Sequence, residues 1–297
     1  MDQTGRMRWD SRQLEALSAV VTEGSFDAAA RALHVTPSAV SQRIRALENA
    51  AGSVLVRRSR PVTATSSGQT LLRLARQTEL LGAEVAAELG ADDGVVTVPL
   101  AVSADSLATW VLPALAQVDG ATFDLHRADD SRTADLLREG VVMAAVTSQT
   151  APVQGCRSTP LGIMRYRPAC TRGFARRWFP DGPTPAALAV APVVVFDRTD
   201  DLQDRYLREH APGARPPRHH VPSTVEFEEA VRLGLGWGMQ LVRPVLREQP
   251  GRDVAPLEPG TVVDVPLHLQ QWKLRSAVLD RVAAALRKEA TRELLPA

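Results

Sequence analysis

Ser38, Gln42, Arg45 and Asn49 recur at helical spacing along one stretch of the chain, with Ser41 and Arg43 beside them. On a helix they form one polar stripe without an acid, a face suited to base edges and phosphates in a major groove. A second basic set follows, in which Arg57, Arg58 and Arg60 lie around the turn Ser59-Arg60-Pro61. Charges at such a turn are placed to hold the nucleic-acid backbone beside a reading helix. From Arg43 to Arg60 there are five arginines and one acid, Glu48, whereas the whole chain has a net charge of only +1. Such local charge is expected when one end meets nucleic acid and the rest does something else.

A different chemistry is suggested further along, at four places where strands give way to helices. These are Ser103-Ala104-Asp105-Ser106, Asp129-Asp130-Ser131, Thr147-Ser148 and Asp197 to Asp201. In open α/β sheets ligands bind beyond the C-terminal ends of strands, against helix N-termini whose free N–H groups take a carboxylate. Asp105, Asp129, Asp130 and Asp197 would hold ammonium or guanidinium groups. Together the set suits a zwitterion with one extra positive charge, such as lysine or arginine. Asp and Ser after strands are also common helix caps, and Asp200 and Asp201 read as caps.

The reading stripe needs a helix to carry it. Thr36 is a good N-cap, Pro37 fits the first helical position, and Val40, Ile44 and Leu47 form the buried face. Ser25 caps a short alanine-rich helix before it, and His34-Val35-Thr36 is the turn, with Val35 plugging the angle. An earlier helix, capped by Asp10 or Ser11, buries Leu14, Leu17, Val20 and Val21 beneath both. Strands over Val54–Arg58 and Val62–Thr65 make a wing. Residues 1–65 therefore read as a winged helix-turn-helix. Its DNA-contact set is Ser25, Thr36, Pro37, Ser38, Ser41, Gln42, Arg43, Arg45, Arg57, Arg58 and Arg60.

Ser66 or Ser67 caps a long helix over 66–91, in which Leu71, Leu74, Thr78, Leu81 and Val85 make a coiled-coil-like seam. That seam suits dimerisation, and a two-fold protein reads two half-sites. From Val95 the order becomes β-α-β-α-β, which implies a parallel sheet with helices on its faces. Strands are expected at Val95–Val102, Phe123–Arg127, Val141–Val146, Leu161–Cys170, Val193–Phe196, Gly238–Val242 and Asp264–Trp272. Helices are expected near Ser106–Leu115, Thr133–Arg138, Arg172–Phe179, Leu202–His210, Glu226–Leu233, Pro244–Glu248 and Ala277–Glu289. Residues 92–297 thus read as a two-lobed α/β domain. Lobe 1 is about 92–164 and 266–297, lobe 2 is about 165–265, and Ala211–Arg218 is a Pro-rich loop.

The run SFDAAARALHVTPSAVSQRIRALENAAGSVLVRRSRPVTATSSGQTLLRLA resembles the DNA-binding end of the LysR-type transcriptional regulators. ADSLATW, DDLQDRYLR, GLGWGM and DVPLHLQQWKL are similar to effector-domain motifs of the LysG/ArgP branch. The resemblance covers about residues 10–290. It implies a periplasmic-binding-protein-like effector domain on a linker helix, and a cytoplasmic dimer or tetramer on dyad sites in double-stranded DNA. RNA polymerase is a further candidate partner. The implied role is activation of a basic amino acid exporter gene, with L-lysine or L-arginine as co-inducer. Ser103 and the segment 129–132 depart from that branch, so another small-molecule effector is the alternative. A solute-binding protein or an enzyme using the cleft are the remaining rivals.

Composition sets the outer limits. At 297 residues, 44% hydrophobic and 23% charged, the chain is ordinary for a soluble protein of about two domains. Its first residues lack the apolar core of a secretory signal, and no run nears the ~18 apolar residues that span a bilayer. Cys156 and Cys170 read as packing residues, with a redox switch as the lesser alternative. His219-His220 lacks companions for a metal. Gly234-Leu235-Gly236-Trp237-Gly238 lacks the strand-first context of a dinucleotide site, and neither a Gly-x-Ser-x-Gly elbow nor a P-loop is present. No catalytic residue, metal ligand or cofactor is assigned, and the chain does not read as an enzyme.

Overall fold

The computed structural model describes residues 9–90, 95–128, 130–242 and 253–296. At the N-terminus, α1 (Ser11–Thr22), α2 (Phe26–Ala32) and α3 (Pro37–Ala51) each start on a side-chain cap. Asp10 accepts from the Arg12 amide at 2.8 Å, Ser25 from Ala28 at 3.1 Å and Thr36 from Ala39 at 3.2 Å. Helix α3 stops at Gly52, whose left-handed φ of 65° is the usual end of a helix. The helices enclose Leu14, Leu17, Val20, Ala29, Ala30, Val40, Ile44 and Leu47. Val21, expected inside, is half-buried at the rim of this core.

The wing is β1 (Val56–Arg57) paired with β2 (Thr63–Ala64), shorter than its sequence suggests. Helix α4 (Ser66–Glu88) is capped by Thr65, not by either following serine. Thr65 accepts from the Gly68 amide at 3.1 Å and donates to the Val54 carbonyl at 2.7 Å, tying the helix start to the wing. Gly68 allows this seating, since a Cβ there would lie 2.0 Å from the Leu55 carbonyl oxygen.

The seam on α4 divides in two. Leu71, expected at a dimer contact, is buried with Leu72 and Ala75 in the core of the reader, because this end of α4 lies along α1. Leu74 is half-buried, whereas Thr78, Leu81 and Val85 are exposed. On the other side, Leu80 enters the core of the C-terminal domain. Arg76 donates to the Val141 carbonyl and, at 3.0 Å, to Thr22 at the end of α1. Arg73 donates to the Arg138 carbonyl at 2.6 Å. Glu84 accepts from Ser276 at 2.7 Å and from the Val278 amide at 2.9 Å.

Beyond α4 come β3 (Val96–Val102), α5 (Ala104–Ser106), a π-turn over Leu107–Val111 and α6 (Leu112–Leu115), which run on as one rod. Pro113 has no N–H for the preceding turn, and the wider turn accommodates it. Then follow β4 (Ala121–Arg127), α7 (Asp130–Arg138), β5 (Ala144–Thr147), β6 (Cys156–Thr171), α8 (Arg172–Trp178), α9 (Pro185–Val190) and β7 (Val193–Val195). The rest is α10 (Leu202–His210), β8 (Arg218–His220), α11 (Thr224–Arg232), β9 (Gly238–Val242), β10 (Val254–Pro256), β11 (Val263–Trp272) and α12 (Ala277–Glu293).

Strand β3 pairs in parallel with β4 and β5, as βαβ units require. Strands β6 and β11 pair antiparallel from Tyr166↔Val263 to Cys156↔Trp272, with a register shift between Leu267 and His268. They run through both lobes: β5 pairs with one end of β11, while β9 and β10 pair with the far end of β6. Strand β6 therefore begins five residues earlier than the expected Leu161, because its first part, from Cys156 to Pro160, pairs with β11 from Trp272 to His268 within the first lobe. Helix α9 and strands β8 and β10 have no counterpart in the sequence reading. Strand β8 starts at Arg218, the last residue of the expected Pro-rich loop. The expected helix Pro244–Glu248 and the expected break after residue 91 lie outside the described residues.

Candidate nucleic-acid interface and effector cleft

On α3 the buried face of Val40, Ile44 and Leu47 turns the opposite stripe outward. Ser38, Gln42, Arg45 and Asn49 are exposed on it, and Ser41 is half-buried. Ser38 shares a 2.9 Å hydrogen bond with Thr36, which also caps the helix. Arg43 sits on the flank, 3.9 Å from Glu15 of α1. Glu48, the one acid in the stretch, accepts from the Leu55 amide at 2.9 Å and so braces the wing.

The wing arginines Arg57, Arg58 and Arg60 are all exposed. The Arg58 guanidinium stands 5.2 Å from the Phe26 ring centroid, a cation–π contact that holds it beside the start of α2. The Val62 amide donates to the Gly24 carbonyl at 2.8 Å, fixing the wing against the turn between α1 and α2. Ser25 and Pro37 stand at the starts of α2 and α3, where backbone N–H groups face outward and favour phosphate.

A cavity of about 690 Å³ opens between the two lobes. Of the residues expected there, Ser103, Ala104, Asp105, Ser148 and Asp197 line it. Ser106 is fully buried behind it and accepts a 2.9 Å hydrogen bond from Ser103. Thr147 is likewise buried, accepting from the Gln149 amide at 3.2 Å. Asp130 is the first residue of α7, while Asp129 and the Asp130 side chain lie outside the described set.

The lining also contains Asp200, from the expected strand-end segment Asp197 to Asp201, and Arg127, Tyr166, Phe196, Gln203, Thr224 and Gln240, which the sequence reading did not place in the pocket. Asp105 ties this group together, accepting from the Tyr166 hydroxyl at 2.7 Å and from the Thr224 hydroxyl at 2.7 Å. Arg127, at the end of β4, lies 5.9 Å from the centroid of Phe196 across the cleft. Asp197 accepts from the Thr199 amide at 2.7 Å, the Thr199 hydroxyl at 2.6 Å and the Asp200 amide at 3.1 Å. Asp200 accepts from the Phe196 and Leu202 amides, so it caps α10 as expected and faces the cavity as well. Burial, then the nearby Asp105 and Asp197, hold its carboxyl above the ordinary range. Asp201, expected to cap, makes no capping hydrogen bond and instead pairs with Arg205 and Arg208.

The remaining motifs fall outside these two sites. Cys156 and Cys170 are buried free thiols, pushed by that burial to about 11 and about 12. Such thiols stay protonated near neutral pH and are poor nucleophiles. Among the described residues no cluster of His, Cys, Asp and Glu could hold a metal ion, and no helix is long and apolar enough to cross a membrane.

Residues 11–69 match the family described as bacterial regulatory helix-turn-helix protein, lysR family. Across the whole chain, the crystal structure of ArgP from Mycobacterium tuberculosis is similar. It has 43% identity and a TM-score of 0.84, and the match covers 98% of this chain and 100% of that one. The full-length LysG of Corynebacterium glutamicum with bound effector arginine has 37% identity and a TM-score of 0.76, covering 97% and 100%. The lysine export transcriptional regulatory protein LysG of Corynebacterium glutamicum is 39% identical over 297 residues, 96% of this chain and 99% of its own. With a DNA-reading head, a linker helix and a two-lobed α/β domain in one chain, this protein belongs to the LysR-type transcriptional regulators, in the group that contains LysG and ArgP.

Proposed function

We propose that this regulator activates a gene for export of basic amino acids and takes L-lysine or L-arginine as co-inducer. The observation that carries this reading is the set of carboxylates around the cleft. Burial first, and then the nearby Asp105 and Asp197, hold the Asp200 carboxyl above its ordinary range, and all three residues line the cavity. The Asp105 oxygens accept only neutral hydroxyls among the hydrogen bonds described. A ligand cation satisfies such a site, while Arg127 in the cavity lining offers donors to an α-carboxylate. The arginine-bound LysG relative supports the same ligand class.

The chain divides into a reader (1–65), a linker helix (66–91) and an effector domain (92–297). It works on the chromosome in the cytoplasm as a dimer or tetramer on dyad DNA, with RNA polymerase as its downstream partner. Thr78, Leu81 and Val85 face outward along α4 and are the dimer seam, with Leu74 at its edge. Bases are read by Ser38, Ser41, Gln42 and Arg45, and phosphates are held by Arg43, Arg57, Arg58 and Arg60. Ligand acts by favouring one arrangement of the subunits, since equal affinity for two arrangements shifts nothing.

The test is calorimetric titration of the full-length protein with L-lysine, L-arginine and L-histidine, followed by DNA affinity with and without the ligand that binds. Saturable binding of a basic amino acid, abolished in Asp105→Ala, supports the reading. Silence from all three in a folded protein refutes it.

A further inference from the structure

Asp200 and Gln203 stand at the start of α10, both in the cavity wall. Capping accounts for only part of what they do. Each oxygen of Asp200 accepts one backbone N–H, from Phe196 at 3.0 Å and from Leu202 at 3.1 Å, which leaves each with capacity for another donor. Among the described residues no arginine lies within ion-pair distance of it. Arg205 and Arg208 on the same helix go to Asp201, and Arg218 goes to Asp204.

Gln203 is 1% exposed. Its Nε2 donates to the Val194 carbonyl at 3.2 Å, and its Oε1 has no partner among the described residues. A carbonyl can only accept, so the amide is oriented by Val194 and Oε1 is the atom left over. The carboxylate without a cation calls for positive charge, and the orphaned acceptor in the same lining calls for one more N–H or O–H donor.

We propose that Asp200 and Gln203 form the subsite for the cationic tip of the effector side chain, where Gln203 Oε1 favours a guanidinium over an ammonium. This rests on the basic amino acid reading above. A guanidinium carries five N–H donors in a planar fork, so it meets a carboxylate edge and a third acceptor together. An ammonium has three donors on a compact, strongly hydrated centre and gains less from the extra acceptor. In the sequence Asp200 reads as a helix cap within the strand-end segment Asp197 to Asp201, and Gln203 carries no assigned role.

The experiment is titration of full-length wild type, Gln203→Leu and Asp200→Asn with L-arginine, L-lysine and L-citrulline, the neutral isostere of arginine. Wild type should bind arginine about tenfold tighter than lysine, and citrulline least. Gln203→Leu should bring the arginine-to-lysine ratio close to one, mainly by weakening arginine. Asp200→Asn should weaken both cations by roughly a hundredfold and citrulline little. Equal weakening of all three ligands in the variants, with the ratio preserved, would mean a purely structural role and overturn the subsite. So would an unchanged ratio and unchanged affinities in both variants. A wild type that binds none of the three overturns the effector reading itself. Should Asp200→Asn lose its cooperative melting transition, the ratio in Gln203→Leu decides.

Discussion

The carboxylate of Asp105 accepts a 2.7 Å hydrogen bond from the hydroxyl of Thr224, although one lies on the first lobe and the other opens α11 on the second. The contact spans the cleft, and both residues line its cavity. Removing it should make closure around the ligand harder. Thr224→Val is expected to weaken binding of a basic amino acid by about tenfold, the worth of a hydrogen bond to a charged group, with little change in melting temperature. Calorimetry on the variant checks this, and an affinity equal to wild type would show that the contact plays no part in closure.

Asp200 makes that affinity depend on pH. Its folded carboxyl is held above the ordinary range by burial first, then by Asp105 and Asp197. A raised carboxyl takes up its proton at a higher pH than a free one and then no longer attracts a cation. Affinity for L-arginine should therefore be full at neutral pH and decline as pH falls toward the ordinary carboxylate range. The decline should begin earlier than a normal aspartate would dictate. For the ligand-free protein the sign is opposite, because protonation relieves repulsion in the cleft, so this group's contribution to stability improves as pH falls. Titrations at a series of pH values, with Asp200→Asn as the flat control, test both signs.

On α4 two leucines ten residues apart should behave differently. Leu71 is 7% exposed in the core of the reader, whereas Leu81 is 38% exposed. Leu71→Ala should cost about 2–4 kcal/mol of stability by leaving a cavity. Leu81→Asp with Val85→Asp should leave the fold intact and shift the protein toward monomer, as read by sedimentation. A dimer unaffected by the double variant would move the subunit interface elsewhere.

Arg76 bolts the head to the effector domain. Its guanidinium is buried and joins Thr22 of α1 to the Val141 carbonyl. Arg76→Met leaves that carbonyl without its donor, at a cost of about 1–3 kcal/mol. The more telling result is coupling: effector should still bind, while its effect on DNA affinity shrinks. Full retention of that effect would mean the signal travels by another route.

For DNA, the exposed wing and the reading stripe make different demands. Arg58→Ala should weaken binding to all sequences alike and lower the salt slope by about one. Gln42→Ala should relax preference among operator variants with a small loss of affinity. Gel-shift measurements on a panel of sites across salt concentrations separate the two, and an unchanged preference would remove Gln42 from the base-reading set.

The reader was legible in the chain because its signals are local. Ser25 and Thr36 start helices three residues from the amides they serve, Pro37 fits the first helical position, and Val40, Ile44 and Leu47 mark one face by spacing alone. The same holds for the βαβ order after Val95 and for the strand ends at Ser103 and Asp197. Tertiary structure decided which of those strand ends share a cavity. Asp105 meets Thr224 across 119 positions of sequence, and no periodicity records such a meeting. It also decided that Leu71 is core, since α1 covers one side of α4 and leaves the other open. Asp200 and Gln203 are the sharpest case. A cap and a buried amide become a cation subsite only when the opposite lobe closes a polar wall around them, because burial and neighbouring charge belong to the assembled fold and not to the residue.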